Sequence, residues 1–248
     1  MKKNQLIMLT IIAATLICSK LIQLSGWHPS PIYCLHASWF ALNVVAIWAI
    51  AAIGKIKPHE PEHSPLEYGS VFLFLLGALA FYGLSGTAIE HLAALFSPEV
   101  LPAIEESKEI HRWSEHRSIL GNLSPILIAP IVEEIIFRVG VLGGLMLIMR
   151  KPWAIILSAA IFALNHADIY PAPAVAATFI FGLIAAATYL MLGLRAAIML
   201  HFLNNTREHW RPWIVDHDHL LTGYVLISIT ALIVFIHQLI RHRRLVLR

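Results

Sequence analysis

Two adjacent carboxylates and an arginine lie within a long apolar stretch, which reads Ala-Pro-Ile-Val-Glu133-Glu134-Ile-Ile-Phe-Arg138. Charged side chains are costly inside a membrane and usually serve a function there. On a helix, Glu134 and Arg138 are four residues apart and can form an ion pair. Glu133 is rotated from Glu134 by about 100° at 3.6 residues per turn. We therefore expect Glu133 to face another partner and to be available for chemistry.

Two later apolar stretches carry histidines, and they read Phe162-Ala-Leu-Asn-His166 and His201-Phe-Leu-Asn-Asn205. His201 and Asn205 are four residues apart and share a helical face. A lone histidine in such a stretch is more often a packing residue than a catalyst. A glutamate, two histidines and an asparagine on three separate helices favour one shared polar site. Such a site could activate water, or it could hold zinc through Glu133, His166 and His201.

The elements that must position these side chains are predicted to be transmembrane helices. Of the 248 residues, 58% are hydrophobic and 13% are charged, whereas soluble domains have about 45–50% apolar and about 25% charged residues. Apolar runs that could cross about 30 Å of hydrocarbon fill most of the sequence. We predict an all-α polytopic transmembrane helix bundle of about eight spans. It forms a single membrane domain over residues 1–248.

Eight apolar stretches mark the predicted spans. They lie at about 6–24, 37–53, 68–89, within 119–149, 152–166, 174–194, from 195 onward, and 220–240. The fourth stretch contains Pro125 and Pro130, which can break a helix. The first stretch follows Lys2 and Lys3 but has no A-x-A-like cleavage site. We interpret it as an uncleaved span rather than a signal peptide.

The lysines and arginines are distributed unequally between the two sides of this predicted bundle. Eight spans put both termini on one side, and eleven of the 18 lysines and arginines fall on that side. Because cytoplasmic loops carry an excess of lysine and arginine, we predict that both termini are cytoplasmic. The short basic loops are typical of a bacterial inner membrane protein. The net charge of +3 fits this topology, and we expect no nucleic-acid partner.

The three polar motifs together resemble those of a known family. Glu-Glu-x-x-x-Arg, Phe-x-x-x-His and His-x-x-x-Asn occur in that order on successive predicted helices, between residues 118 and 206. This arrangement resembles the CPBP family, the CAAX-protease and bacteriocin-processing group, also called the Abi family. The family includes the type II CAAX prenyl endopeptidases. The resemblance implies an intramembrane protease whose catalytic core is residues 118–206.

The resemblance also implies a role for each motif residue. Glu133 and His166 would hold and activate a water molecule for attack on a peptide carbonyl. His201 and Asn205 would stabilise the resulting oxyanion, and Glu134 would orient Glu133. The supporting residues of the predicted site are Glu134, Arg138 and Phe162.

Members of this family have been described both as metalloproteases and as glutamate proteases. Asn205 is a poor zinc ligand and a good oxyanion donor, which favours a site without a cofactor over a zinc site held by Glu133, His166 and His201. The expected partners are the lipid bilayer and a membrane-anchored protein or peptide substrate. Family members cleave prenylated tails, process bacteriocins or mature sorting peptides, and nothing in the sequence selects one of these.

Two other classes of function remain open from the sequence. The chain could be a non-catalytic immunity or scaffold membrane protein, although a binding role does not require all four polar residues together. It could also be a transporter or proton relay, because buried glutamate and histidine serve there too. Inverted repeats would favour a transporter, and the sequence shows none, but Pro125 and Pro130 could mark a broken helix.

Three further polar stretches are interpreted as surface segments. Residues 59–63 read His-Glu-Pro-Glu-His and match a zinc motif that needs a helix, but Pro61 would disrupt that helix. Residues 216–219, Asp-His-Asp-His, could hold a cation, and a solvated loop is the favoured interpretation. Segment 90–118 contains Glu-Glu-Ser-Lys-Glu-Ile-His-Arg-Trp, which fits either an amphipathic interfacial helix or a solvated loop.

Overall fold

The computed structural model describes residues 68–108, 119–167 and 169–247, which contain helices and turns but no strand. The all-α class is thereby confirmed for this part of the chain. The predicted spans at 6–24 and 37–53 and the His-Glu-Pro-Glu-His stretch lie outside the described residues. Three described helices are long and apolar enough to cross a membrane, Gly69–Ala94, Ala172–Leu192 and Asp218–Arg241. The number of eight spans stays a prediction.

Eight helices follow one another in the described residues. They are α1 Tyr68–Ala94, α2 Val100–Lys108, α3 at 119–145, α4 Lys151–Leu164, α5 Ala172–Leu192, α6 Leu194–Val215, α7 Asp218–Arg241 and α8 Arg243–Leu247. The predicted spans three to eight correspond to α1, α3, α4, α5, α6 and α7, with small shifts of their ends. Helix α6 is long enough to cross a membrane, but its charged and polar residues make it much less apolar than α5.

Helix α5 is the central helix of the described bundle. It is contacted by α1, α3, α4, α6 and α8. In its most apolar 18-residue stretch, 67% of the residues are buried. Its sequence is apolar on all sides, as expected for a helix that neighbouring helices cover. Helix α7 packs mainly against α1. Only 11% of the residues in its most apolar 18-residue stretch are buried. Most of its apolar surface is therefore free to contact lipid.

Two glycines determine how closely α4 packs against α5 and how the chain connects α5 to α6. A Cβ atom at Gly182 would lie 3.0 Å from the Cα atom of Ala159, so α4 and α5 approach closely there, as small residues allow in membrane bundles. Gly193 follows the end of α5 with a φ of 85°. Glycine adopts this left-handed conformation readily because it has no Cβ. The chain turns there directly into α6.

Helix α3 changes its geometry along its length. It is α-helical over Ile119–Leu123, Ala129–Glu134 and Gly143–Leu145, and π-helical over Ser124–Ile128 and Ile135–Leu142. Such π-helical turns are rare and are frequent at functional sites. Glu133 and Glu134 end the central α-helical segment, immediately before the second π-helical segment.

Two of the polar surface stretches lie partly or wholly within the described residues. Segment 90–118 is helical over Val100–Lys108, where Ile104 is fully buried and Glu105 and Glu106 are exposed. Residues 109–118 lie outside the described part. Residues 216–219 form a turn and the start of α7, and all four are exposed.

Helices α1 and α7 approach each other very closely at Gly77. A Cβ atom there would overlap the carbonyl oxygen of Ala231 and lie 2.6 Å from the Cβ atom of Phe235. Since the α7 backbone would have to move, we expect Gly77→Ala to lower the free energy of unfolding by about 1–3 kcal/mol, the usual cost of overpacking. Thermal unfolding of the purified protein in detergent measures this change.

Gly223→Ala is the matched control, because nothing lies within 4 Å of a Cβ atom at that position on α7. Alanine is a better helix former than glycine, so this variant should keep or raise the melting temperature. An equal loss in both variants would show that the contact with Ala231 and Phe235 is not the cause.

Candidate active site

The predicted site residues converge where α3, α4 and α6 meet. Glu133 lies on α3, His166 follows the end of α4, and His201 lies on α6. The Nε2 atom of His166 is 3.7 Å from Oε2 of Glu133, and the Nε2 atom of His201 is 3.9 Å from the same oxygen. The fold thus brings together three side chains that are far apart in the sequence around one carboxylate oxygen.

The hydrogen-bond partner of Nδ1 in each histidine determines which ring nitrogen carries the hydrogen. Nδ1 of His166 lies 2.8 Å from the carbonyl oxygen of Phe162, and Nδ1 of His201 lies 2.9 Å from Oε1 of Glu134. Carbonyl and carboxylate oxygens accept hydrogen bonds, so both Nδ1 atoms must donate. The Nε2 atom of each neutral ring is then an acceptor, and both of these atoms face Glu133.

Oε2 of Glu133 is buried and has no hydrogen-bond partner in the part of the chain that the structure describes. Buried polar atoms in proteins are nearly always hydrogen-bonded. Here three acceptors meet, and the separations of 3.7 and 3.9 Å are too long for direct hydrogen bonds. A hydrogen-bond donor between Glu133, His166 and His201 would satisfy these acceptors, and a water molecule is one such donor.

Glu134 and Arg138 form the ion pair that their spacing predicts. Nε of Arg138 donates to Oε2 of Glu134 at 2.8 Å, and Nη2 donates to Oε1 at 3.3 Å. Both side chains are completely buried. Oε1 of Glu134 also accepts from Nδ1 of His201. Glu134 therefore orients His201, whereas the sequence led us to expect that it orients Glu133.

Phe162 forms one wall of the site and contacts three of its residues. Its ring is 1% exposed and lies beneath the Arg138 guanidinium, 5.1 Å from Cζ to the ring centroid. Such a cation–π contact is strongest away from water. The ring centroids of His166 and His201 lie 4.8 and 5.8 Å from that of Phe162. Its supporting role stays a prediction.

Two aromatic residues of the site were missed by the sequence analysis. The ring of Tyr170 stacks on His166, with centroids 5.5 Å apart and an interplanar angle of 6°. Phe181, on α5, contacts the edge of His201 at 5.0 Å. Neither residue belongs to a polar motif. A signal for Tyr170 was available, since it is the only aromatic residue in the short connection that follows His166.

Asn205 compensates for a missing backbone donor in α3. Its Nδ2 atom donates to the carbonyl oxygen of Pro125 at 2.8 Å. The N–H of Ala129 bonds five residues back to Ser124, so the next π-helical bond would join Pro130 to Pro125. Proline has no N–H, which leaves the Pro125 carbonyl for Asn205. The amide thus holds α6 against the proline-broken part of α3.

This explanation of Asn205 can be tested with a double-mutant cycle. We expect Asn205→Ala to lower the free energy of unfolding by about 1–3 kcal/mol, because the Pro125 carbonyl loses its partner. The loss should be smaller in a Pro130→Ala background, where the new N–H can bond that carbonyl. Denaturant or thermal unfolding in detergent gives the coupling energy. Strictly additive losses would contradict the explanation.

The zinc alternative is less well accommodated by this geometry. Among the described residues, no three His, Cys, Asp or Glu side chains are grouped so that they could hold a metal ion. Oε2 of Glu133 and the Nε2 atoms of His166 and His201 are the three atoms that would have to hold zinc, and the two nitrogens lie 3.7 and 3.9 Å from that oxygen, whereas Asn205 is bound to Pro125. A tetrahedral zinc site needs three protein ligands and an open position. The choice of a metal-free site over a zinc site stays a prediction.

The comparisons with known proteins support a protease. Residues 116–207 match the family model of the type II CAAX prenyl endopeptidase Rce1-like proteins. The match confirms the resemblance inferred from the motifs, and it covers less than half of the chain. It includes Glu133, His166, His201 and Asn205. No curated protein and no solved structure matches the chain. Together, the match and the apolar helices indicate an integral membrane protein, and residues 116–207 are similar to a CAAX-type protease family.

Proposed function

We propose that this chain is an intramembrane endopeptidase in which Glu133 and His166 activate a water molecule that cleaves a peptide bond. The observation that carries the proposal is the convergence of two histidine Nε2 atoms on Oε2 of Glu133, an oxygen that is buried and unpaired. A water between these acceptors would donate a hydrogen to Glu133 and another to a histidine. Its oxygen lone pair would then be free to attack.

The two histidines have different partners, which supports different roles for them. Among the described residues, Nδ1 of His166 is hydrogen-bonded to a neutral backbone carbonyl. The Nε2 atom of this ring suits the role of an acceptor that holds the water. His201 has the Glu134 carboxylate behind its ring. A carboxylate in that position stabilises positive charge that develops on the imidazole, as in Ser-His-Asp triads. His201 therefore suits stabilisation of the oxyanion in the form that also carries a hydrogen on Nε2, because a neutral ring with Nδ1–H has only an acceptor there.

Asn205 is the second proposed oxyanion donor. Its Nδ2 atom carries two hydrogens, and one of them is directed to the Pro125 carbonyl. The other remains available to the oxyanion. Because Pro125 fixes the orientation of the amide, the donor is held in place before the reaction. Preorganised donors in a water-poor site account for much of the stabilisation of such intermediates.

The proposed reaction balances without any other reactant. The water transfers one proton to Glu133 as its oxygen bonds to the carbonyl carbon, which gives a tetrahedral oxyanion. When the C–N bond breaks, Glu133 returns the proton to the amine that leaves. A group that first accepts the proton as a base and later donates it as an acid typically raises the rate by about 10²–10⁴-fold.

The proposed substrate is a membrane-anchored protein or peptide, because the site lies among apolar helices that a bilayer would surround. The CAAX-type family of residues 116–207 supports a peptide-bond hydrolase, and it leaves the sequence of the cleaved segment open. We also propose a bacterial inner membrane location with both termini in the cytoplasm, on the distribution of lysine and arginine.

The experiment is cleavage of a library of membrane-anchored peptides by the purified protein in detergent and in liposomes. We expect wild type to cleave, His166→Ala to lose about 10²–10⁴-fold in rate, and His201→Ala about 10²–10³-fold. His219→Ala is the control, because His219 is an exposed histidine far from the site along the chain. Each protein is assayed with and without a chelator.

The outcomes separate the proposal from its alternatives. Cleavage that resists the chelator supports water activation by Glu133 and His166 alone. Cleavage that the chelator removes and zinc restores would contradict the metal-free form but keep the protease. If wild type cleaves nothing, or if all variants cleave alike, the scaffold and proton-relay interpretations replace the protease.

A further inference from the structure

The backbone anchors the two histidines of the site in different ways. His201 lies within α6 and has helical residues on both sides. His166 lies two residues beyond Leu164, the last residue of α4, in the connection to α5. A residue in such a connection is not held by a continuous ladder of helical hydrogen bonds. The orientation of the His166 ring therefore depends more strongly on the contacts of the ring and of the residues next to it.

One hydrogen bond ties the His166 ring to α4. Its Nδ1 atom lies 2.8 Å from the carbonyl oxygen of Phe162. This bond fixes the position of Nδ1, but it leaves the ring free to tilt about that nitrogen. Nε2, on the other side of the ring, is the atom that lies 3.7 Å from Oε2 of Glu133. A second contact is needed to fix the direction in which Nε2 points.

The ring of Tyr170 supplies such a contact, because it covers one face of the His166 imidazole. The ring centroids are 5.5 Å apart and the interplanar angle is 6°. Parallel rings at this separation form an offset stack. Tilting the imidazole would open a gap on one side of the stack and force an overlap on the other, which costs dispersion contacts. The stack thus opposes the motion that the Nδ1 hydrogen bond leaves free.

The backbone places Tyr170 next to His166. The carbonyl oxygen of His166 accepts hydrogen bonds from the N–H of Ile169 at 3.0 Å and from the N–H of Tyr170 at 2.9 Å. The second bond spans four residues, like a single helical turn that does not continue. Pro171 follows and caps the start of α5, and a residue that precedes proline has a restricted backbone. Tyr170 is therefore held by the turn as well as by its ring.

We infer that Tyr170 is a positioning residue of the proposed protease, whose ring holds the His166 imidazole so that Nε2 faces the attacking water. The inference rests on the proposed function and adds a residue that lies outside all three polar motifs. Tyr170 takes no proton in this role and acts only through His166. Positioning of this kind has a measurable effect, because a displacement of about 1 Å in a reacting group can lower a rate by about 10²-fold.

The first test replaces Tyr170 by leucine and by phenylalanine in the full chain. Leucine fills much of the space but cannot stack, whereas phenylalanine keeps the ring and loses only the hydroxyl. We expect Tyr170→Leu to lower kcat for a cleaved library peptide by about 3–10-fold, the size of an aromatic pair contact. KM should stay unchanged, because His166 holds the water and not the peptide. Tyr170→Phe should retain the wild-type kcat.

Three results of this test would overturn the inference. The first is a Tyr170→Leu protein that cleaves at the wild-type rate. The second is a higher KM with an unchanged kcat, since that pattern indicates lost substrate binding. The third is an equal loss in Tyr170→Phe and Tyr170→Leu, which would assign the effect to the hydroxyl and not to the stacked ring.

A double-mutant cycle shows whether Tyr170 acts through His166. His166→Ala removes the imidazole, so Tyr170→Leu should cause no further loss of cleavage rate in that background. Residues that act on the same step through one contact are not additive, whereas independent residues are. An equal loss in both backgrounds would show that Tyr170 acts without His166, and it would overturn the inference.

Tyr224→Leu is the matched control for the removal of a tyrosine ring. The Tyr224 ring contacts Trp210, with centroids 5.9 Å apart, so this substitution also removes an aromatic pair, but one that does not include a site residue. Its kcat should equal that of wild type. The melting temperatures of both leucine variants are measured in detergent. Equal losses of kcat in the two variants would assign the effect to the fold and overturn the inference.

Failure of this inference differs from failure of the proposed function. Full activity of Tyr170→Leu, beside a wild type that cleaves and a His166→Ala variant that does not, removes the role of Tyr170 and leaves the protease intact. If wild type cleaves no peptide in detergent or in liposomes, the proposed function fails and this inference fails with it.

Discussion

Replacing Glu133 with glutamine is expected to reduce peptide cleavage by about 10²–10⁴-fold, the usual contribution of a general base. Glutamine has nearly the same shape as glutamate and keeps an acceptor oxygen near His166 and His201, but it cannot take a proton from water. The site would still bind water without activating it. Because Oε2 of Glu133 makes no hydrogen bond to the described residues, the substitution breaks no hydrogen bond of that oxygen with them. The cleavage rate under single-turnover conditions measures the effect.

The control for this variant is Glu106→Gln, which changes the same atoms on the exposed α2 helix. Its cleavage rate should equal that of wild type. The melting temperature of Glu133→Gln should also stay close to the wild-type value, which separates lost chemistry from lost folding. A Glu133→Gln protein that cleaves at the wild-type rate would show that another group activates the water.

Replacing Arg138 with methionine is expected to have the largest effect on stability. The substitution would leave Glu134 completely buried, with only the His201 hydrogen bond to compensate its charge. Removing one partner of a buried ion pair typically costs about 3–5 kcal/mol, because the remaining charge is not compensated. Methionine keeps much of the volume beside Phe162, so a cavity would contribute little. Unfolding in detergent measures the loss.

The double variant Glu134→Gln with Arg138→Met tests the cause of that loss. It removes the uncompensated charge, and the glutamine oxygen can still accept from Nδ1 of His201. We expect it to be more stable than Arg138→Met alone. Arg211→Met is the control for the loss of an arginine, since Arg211 is exposed on α6. If the double variant is no more stable than the single one, the buried charge is not the cause.

The site could be predicted from the sequence largely because charge is so rare within the spans. The Glu134–Arg138 pair follows from a spacing of four residues and is present. Glu133 and His166 meet as their placement in one apolar region suggested. The spacing of residues in the sequence does not predict which atom each carboxylate oxygen of Glu133 and Glu134 contacts. Glu134 and Glu133 contact opposite nitrogens of the same ring, His201, because that ring extends between the two carboxylates.

Other parts of the site depend on contacts between helices, which a sequence pattern does not encode. Pro125 and Pro130 predicted a break in the fourth span, and α3 does contain π-helical turns on both sides of Pro130. The bond from Asn205 to the Pro125 carbonyl joins residues that are 80 positions apart. No local rule predicts that pairing. The contact of Phe181 with His201 depends likewise on how α5 and α6 pack.

The shortness of α4 affects the surrounding lipid. Trp153, Ile156, Leu157 and Leu164 are exposed along this helix, so they present an apolar surface only about 21 Å tall to acyl chains that prefer about 30 Å. Such hydrophobic mismatch is relieved when the bilayer thins locally, at a cost that grows with each ångström. In a bilayer of ordinary thickness the lipids beside α4 would be compressed, and the thickness of the host membrane would set how large that compression is.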